Sequence, residues 1–132
     1  MGTTKYCRNL FLLAAIWNIG AAIGCSTASI VFTEPFSAAF AMPVPSSLFA
    51  FIGMFMMVLA FGIGYLIVRK DLGKNHAMVT VGAIGKILFF INCLVFVLIG
   101  EANIMLLITG LVDLLFAALF IHFLMQRKRF LI

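Results

Sequence analysis

Two charged residues stand where this chain leaves little room for charge. Lys86 lies inside the apolar run Ala77–Ile99, and Asp113 lies inside the run Asn103–Met125. Near the centre of a bilayer a charged side chain costs about 2.5–3.5 kcal/mol on insertion scales. Opposite charges relieve that cost by pairing, so Lys86 and Asp113 predict an ion pair. Such a pair offers proton exchange, or acid–base work on a largely apolar ligand. Asn18, directly after the sole tryptophan Trp17, adds an amide, and Tyr65 adds a phenol. Asn18, Tyr65, Lys86 and Asp113 therefore form the predicted ligand-binding or proton site, one residue from each apolar run. The competing reading is a packing staple, because buried polar groups can fix helix register and nothing more. Paired-carboxylate chemistry is not expected, since no second carboxylate accompanies Asp113 in these runs.

His76 and His122 are weaker candidates for metal or haem ligation, and both fall at the basic ends of their runs. His122 lies nine residues beyond Asp113, about half a turn away in angle, so it points off the Asp113 face. No cofactor is expected. Cys7, Cys25 and Cys93 form no C-x-x-C pair, so dithiol chemistry lacks its spacing. Asn92 also lies off the Lys86 face and is a candidate for an interhelical hydrogen bond.

Membrane helices must position these residues. The chain has 132 residues, is 65% hydrophobic and only 10% charged, and its mean hydropathy is +1.25. Soluble domains are about 45–50% apolar and about 25% charged. This composition cannot cover a globule with polar surface, and it is too apolar for disorder. Four runs, Leu10–Phe32, Leu48–Val68, Ala77–Ile99 and Asn103–Met125, are each long enough to cross a bilayer. Only helices or closed barrels satisfy the backbone in lipid, and short alternating strands are missing. The expected fold is all-α: residues 1–132 form one four-helix transmembrane bundle.

The basic residues set the orientation. Lys5 and Arg8 precede the first run, Arg69, Lys70 and Lys74 separate the second and third, and Arg127, Lys128 and Arg129 follow the fourth. The connections Thr33–Ser47 and Gly100–Ala102 contain no Lys or Arg, only Glu34 and Glu101. The positive-inside rule then places both termini in the cytoplasm (N-in, C-in), in the cytoplasmic inner membrane. The net charge of +5 belongs to this pattern, and nucleic-acid binding is not expected.

The segment Lys5 to Cys25, with Ala22-Ile23-Gly24-Cys25, has the outline of a lipoprotein signal. Ala22 stands where Leu is usual in that motif, Asn18 interrupts the run, and apolar residues continue to Phe32. Cys25 is therefore expected inside a spanning helix. The connection Thr33–Ser47 holds all three prolines and is itself apolar, so it is expected at the membrane interface or folded over the bundle. Ser46 or Ser47 is the expected N-cap of the second helix, and Gly73 a turn position. Ala14, Ala15, Ala21, Ala22 and Gly24 in the first run, Gly62 and Gly64 in the second, and Gly82 and Gly85 in the third suit close helix packing.

The motifs Trp17-Asn18, Gly62-Ile63-Gly64-Tyr65, Gly82-Ala83-Ile84-Gly85-Lys86 and Val112-Asp113 resemble those of small bacterial four-helix membrane proteins, and the layout is similar to DoxX-like proteins. The resemblance covers the four spans and implies a fold without an activity. The Gly-Ala-x-x-Arg-Tyr type of signature of small fluoride channels is missing. Asn18 stands where small multidrug exporters carry a glutamate. The leading functional expectation is a module that binds or transports a small, largely apolar ligand or protons. The alternative is a structural subunit of a larger membrane complex, and the third reading is an isomerase-like acid–base enzyme. Lipid, and a homo-oligomer such as a C2 dimer or a larger assembly, are the expected partners.

Overall fold

A computed structural model describes residues 2–130, with the side chains of residues 2–128. The side chain of Arg129 therefore lies outside the described part. Five α-helices follow in order: α1 Gly2–Val31, α2 Thr33–Ala39, α3 Leu48–Lys70, α4 His76–Leu98 and α5 Ile104–Met125, with a 3-10 turn at Arg127–Phe130. Helices α1, α3, α4 and α5 are long and apolar enough to span a membrane. At most a third of the most apolar stretch of each is buried inside the protein. Leucines, isoleucines and methionines such as Leu13, Met57, Leu88 and Leu115 stand on the outer surface. An outward apolar surface on this scale belongs in lipid.

The spans lie close to their expected positions, and the differences have local causes. Helix α1 begins at Gly2 rather than near Leu10, because the polar start contains no breaker and buries Cys7 and Leu10 against the core. At about 1.5 Å per residue, a 30-residue helix is longer than the hydrocarbon layer, so part of it stands outside. The first long connection is not all loop. Phe32 breaks the chain direction with φ −128° and ψ 51°, and α2 follows. Pro35 sits in the first turn of α2, where its missing N–H has no partner to lose. Ser47 is the N-cap of α3, its side chain accepting from the Ala50 N–H at 3.3 Å. Gly73 does occupy the α3–α4 turn, where its N–H donates to Asp71 Oδ1 at 3.1 Å.

The four spans are not packed evenly. Helix α1 lies along α3, and α4 lies along α5, whereas contact between the two pairs is local. Small residues allow the close approach within a pair. A Cβ at Gly62 would stand 2.7 Å from Cγ1 of Ile19, and one at Gly110 would stand 3.0 Å from Cβ of Cys93. Ala14, Ala15 and Ala22 of α1 are fully buried, while Gly24 and Gly85 meet nothing within 4 Å. Between the pairs the filler is aromatic. Phe11 packs against Phe120 and Phe123 at 5.2 and 4.9 Å, and Tyr65 meets Phe120 edge to face at 5.0 Å. Val79 and Ala83 complete this core from α4. It lies in the half of the bundle that carries Lys5, Arg8, Arg69, Lys70 and Lys74.

Candidate functional site

Midway along α4 and α5, directly beyond the aromatic core, Lys86 and Asp113 form the expected ion pair. Lys86 Nζ donates to Asp113 Oδ1 at 2.5 Å. The antiparallel course of the two helices brings them level, and the short connection Ile99–Asn103 fixes that register. The lysine side chain is 5% exposed and the aspartate 14%. Lys86 Nζ also donates to Asn18 Oδ1 at 2.9 Å, so the network reaches α1. The Asn18 amide in turn donates from Nδ2 to the Val58 carbonyl of α3 at 3.3 Å. One lysine thus joins a carboxylate of its own helix pair to an amide of the other, and that amide is anchored to α3. All four spans take part.

Trp17 also belongs to the network, although it was not among the expected site residues. Its indole Nε1–H donates to Asp113 Oδ1 at 3.1 Å, so a single carboxylate oxygen accepts from both pairs. A signal was present: Trp17 is the sole tryptophan, it neighbours Asn18, and an indole N–H in an apolar interior needs an acceptor. Phe116 is a further neighbour of the pair. Its ring centroid lies 5.3 Å from Lys86 Nζ, and its place three residues after Asp113 puts it on the same helix face.

Tyr65 is beside the network but joins it as a ring. Its centroid is 5.7 Å from Lys86 Nζ, and no hydrogen bond joins its hydroxyl to Asn18, Lys86 or Asp113. Its hydroxyl lies over Gly82, where a Cβ would stand only 2.7 Å from it. Gly82 thus makes room for the phenol, while Gly110 serves α4–α5 packing. Thr109 returns its hydroxyl to the Met105 carbonyl. Asn92, a candidate for an interhelical bond, is instead exposed on α4, and its side chain makes no hydrogen bond among the described residues.

His76 and His122 have separate surroundings. The His76 ring lies 5.8 Å from that of Phe123, with a buried Nε2 that has no hydrogen-bond partner among the described residues. His122 is exposed and its Nε2 is 2.8 Å from Nε2 of Gln126. No group of three or more His, Cys, Asp or Glu side chains close enough to share a metal occurs among the described residues.

A carboxylate, an amine, an indole donor and an amide thus form one hydrogen-bonded chain, in which the carboxylate and the amine are the groups able to gain or lose a proton. A cavity lies at the other end of the bundle, away from this network. No family model, curated protein or solved structure matches this chain.

Proposed function

We propose that this four-span membrane protein is a proton-responsive transport or binding module. Its proton site is Asp113 with Lys86, and its moving parts are the two helix pairs. One observation carries the reading: Asp113 Oδ1 accepts from Lys86 and from Trp17 of the opposite pair, while the carboxylate keeps 14% exposure. Protonating Asp113 would leave the Lys86 ammonium unneutralised at mid-span, a costly state in an apolar surrounding. Separation of the pairs relieves it by admitting water or an anion beside Lys86. The titratable groups around Asp113 are Lys86 and Cys93 on α4 and Tyr65 on α3, and α1 contributes the neutral donors Trp17 and Asn18.

The basic-end pattern supports cytoplasmic termini and residence in the cytoplasmic membrane. The resemblance to small bacterial four-helix membrane proteins belongs to the same proposal and adds no activity. Self-association is part of it too, supported by Asn92, whose unbonded amide stands on the lipid-facing side of α4. A structural-subunit reading is favoured by a different observation: the polar network engages every span and is tightly filled with Trp17, Tyr65 and Phe116.

The chain has only two aspartates, Asp71 and Asp113, and one tryptophan. Carbon-13 labelling of aspartate in an Asp71→Asn background therefore isolates the Asp113 carboxyl by NMR in nanodiscs. The expected result is a reversible titration of that carbon while the protein stays folded, with Trp17 fluorescence changing at the same midpoint. A carboxyl signal that stays fixed over the whole folded pH range reduces the pair to a staple.

A further inference from the structure

At the end of the bundle away from the basic residues, a cavity of about 250 Å³ opens beneath α2 and the segment after it. Phe36 of α2, Met42 and Pro45 of that segment, Phe51 of the first turn of α3 and Phe96 of the last turn of α4 form its apolar walls. Glu101, in the turn between α4 and α5, is its acidic member. The walls are held in place. Asn103 donates from its backbone N–H to the Phe40 carbonyl and from Nδ2 to the Ala39 carbonyl, each at 2.9 Å. Phe36 and Phe51 meet edge to face at 6.0 Å.

Charge selects what such a cavity takes. The Glu101 carboxylate makes no ion pair or side-chain hydrogen bond among the described residues. No Lys or Arg occurs in residues 33–47 or 99–103, so neither connection supplies a cation to neutralise it. Aromatic rings can attract cations, and three phenylalanines line this cavity together with one carboxylate. An anion would be repelled by Glu101, and a neutral hydrocarbon would leave its charge unused. The cavity also lies level with the helix ends, where a molecule with an apolar body and a charged head can keep the head near water.

We infer that this cavity binds a small organic monocation with apolar groups around its charge, an alkyl- or arylammonium ion. It does so independently of the proton site at Asp113. The test uses the full chain in nonionic maltoside micelles and benzyltrimethylammonium as the probe, with saturable binding read by saturation-transfer NMR. Glu101 and Phe96 are exposed, so substitutions there leave the core intact. Glu101→Gln is expected to weaken binding about fivefold, while Glu101→Asp, which keeps the charge, stays within about twofold. Phe96→Ala should weaken the ammonium further than it weakens neopentylbenzene, the neutral isostere. Absence of saturable binding, or equal affinity in the wild type and Glu101→Gln, overturns the proposal. Nanodiscs separate a free ligand from lipid. Equal affinity in phosphatidylcholine and phosphatidylglycerol discs supports the free ammonium ion. Loss confined to phosphatidylcholine makes the lipid's own choline group the occupant and overturns it.

Discussion

At Lys86 the side chain has two anchors of different kind, the Asp113 carboxylate on its own helix pair and the Asn18 amide on the other. Their roles separate in a substitution series. Among the described residues, Lys86→Met leaves a largely buried carboxylate with Trp17 as its donor, and Asp113→Leu leaves a buried ammonium with Asn18 and the Tyr65 and Phe116 rings. Breaking one partner of a buried pair costs about 3–5 kcal/mol, whereas an apolar pair of similar volume is often no worse. Each single replacement is therefore expected to lower the melting temperature in detergent, and the double replacement to recover more than half of the loss. Strictly additive losses, measured by thermal unfolding of all four proteins, would show that the charges are not energetic partners. The pair itself was legible in the sequence, because charge in an apolar run demands a counter-charge. The contribution of Trp17 was not, since an indole within an apolar run also reads as plain packing. Tyr65 was legible as a neighbour but not as a ring, because depth along a helix says nothing about where a hydroxyl turns.

Helix ends are governed by individual residues. Helix α4 stops at Gly100, which adopts φ +81° in the left-handed region. Its N–H donates to the Val97 carbonyl and the Glu101 N–H donates to the Phe96 carbonyl. This is the Schellman arrangement, which satisfies carbonyls that the helix end would otherwise leave open. A Cβ at position 100 would meet no neighbour, so its penalty is purely conformational. Gly100→Ala is expected to destabilise by about 1 kcal/mol, read as a shift in the unfolding midpoint. The turn before α4 is held differently. A hydrogen bond from Lys74, supported by the Gly73 N–H, keeps the Asp71 carboxyl below the usual carboxylate range. That contribution is present above the carboxylate's unfolded value and fades as pH falls through the lower folded one. Asp71 and Lys74 both reach solvent, which screens the pair, so the contribution is small. The spans were legible because length and hydropathy alone determine them. Helix α2 was not, since seven residues with a proline give too little period to separate helix from loop.

Across the whole molecule, the arrangement of basic residues and the antiparallel course of the spans support one orientation. In a cysteine-free background, Ala38→Cys and Lys74→Cys place single thiols at exposed positions on opposite ends of the bundle. Impermeant maleimide added to intact cells is expected to label position 38, and to reach position 74 only after the membrane is opened. Labelling of both from one side would sink the four-span arrangement. The pairing of α1 with α3 and of α4 with α5 also bears on how the chain enters the bilayer during synthesis. The Lys86–Asp113 bridge lies wholly within the later-made pair. Helix α4 emerging alone would carry an uncompensated ammonium to mid-membrane, whereas α4 and α5 together are neutral there. Only residues 99–103 separate the two helices, so the translocon meets the carboxylate soon after the amine. The bridge is thus a reason for the last two spans to be inserted as one hairpin, and Asn18 and Trp17 wait in the bilayer to receive it.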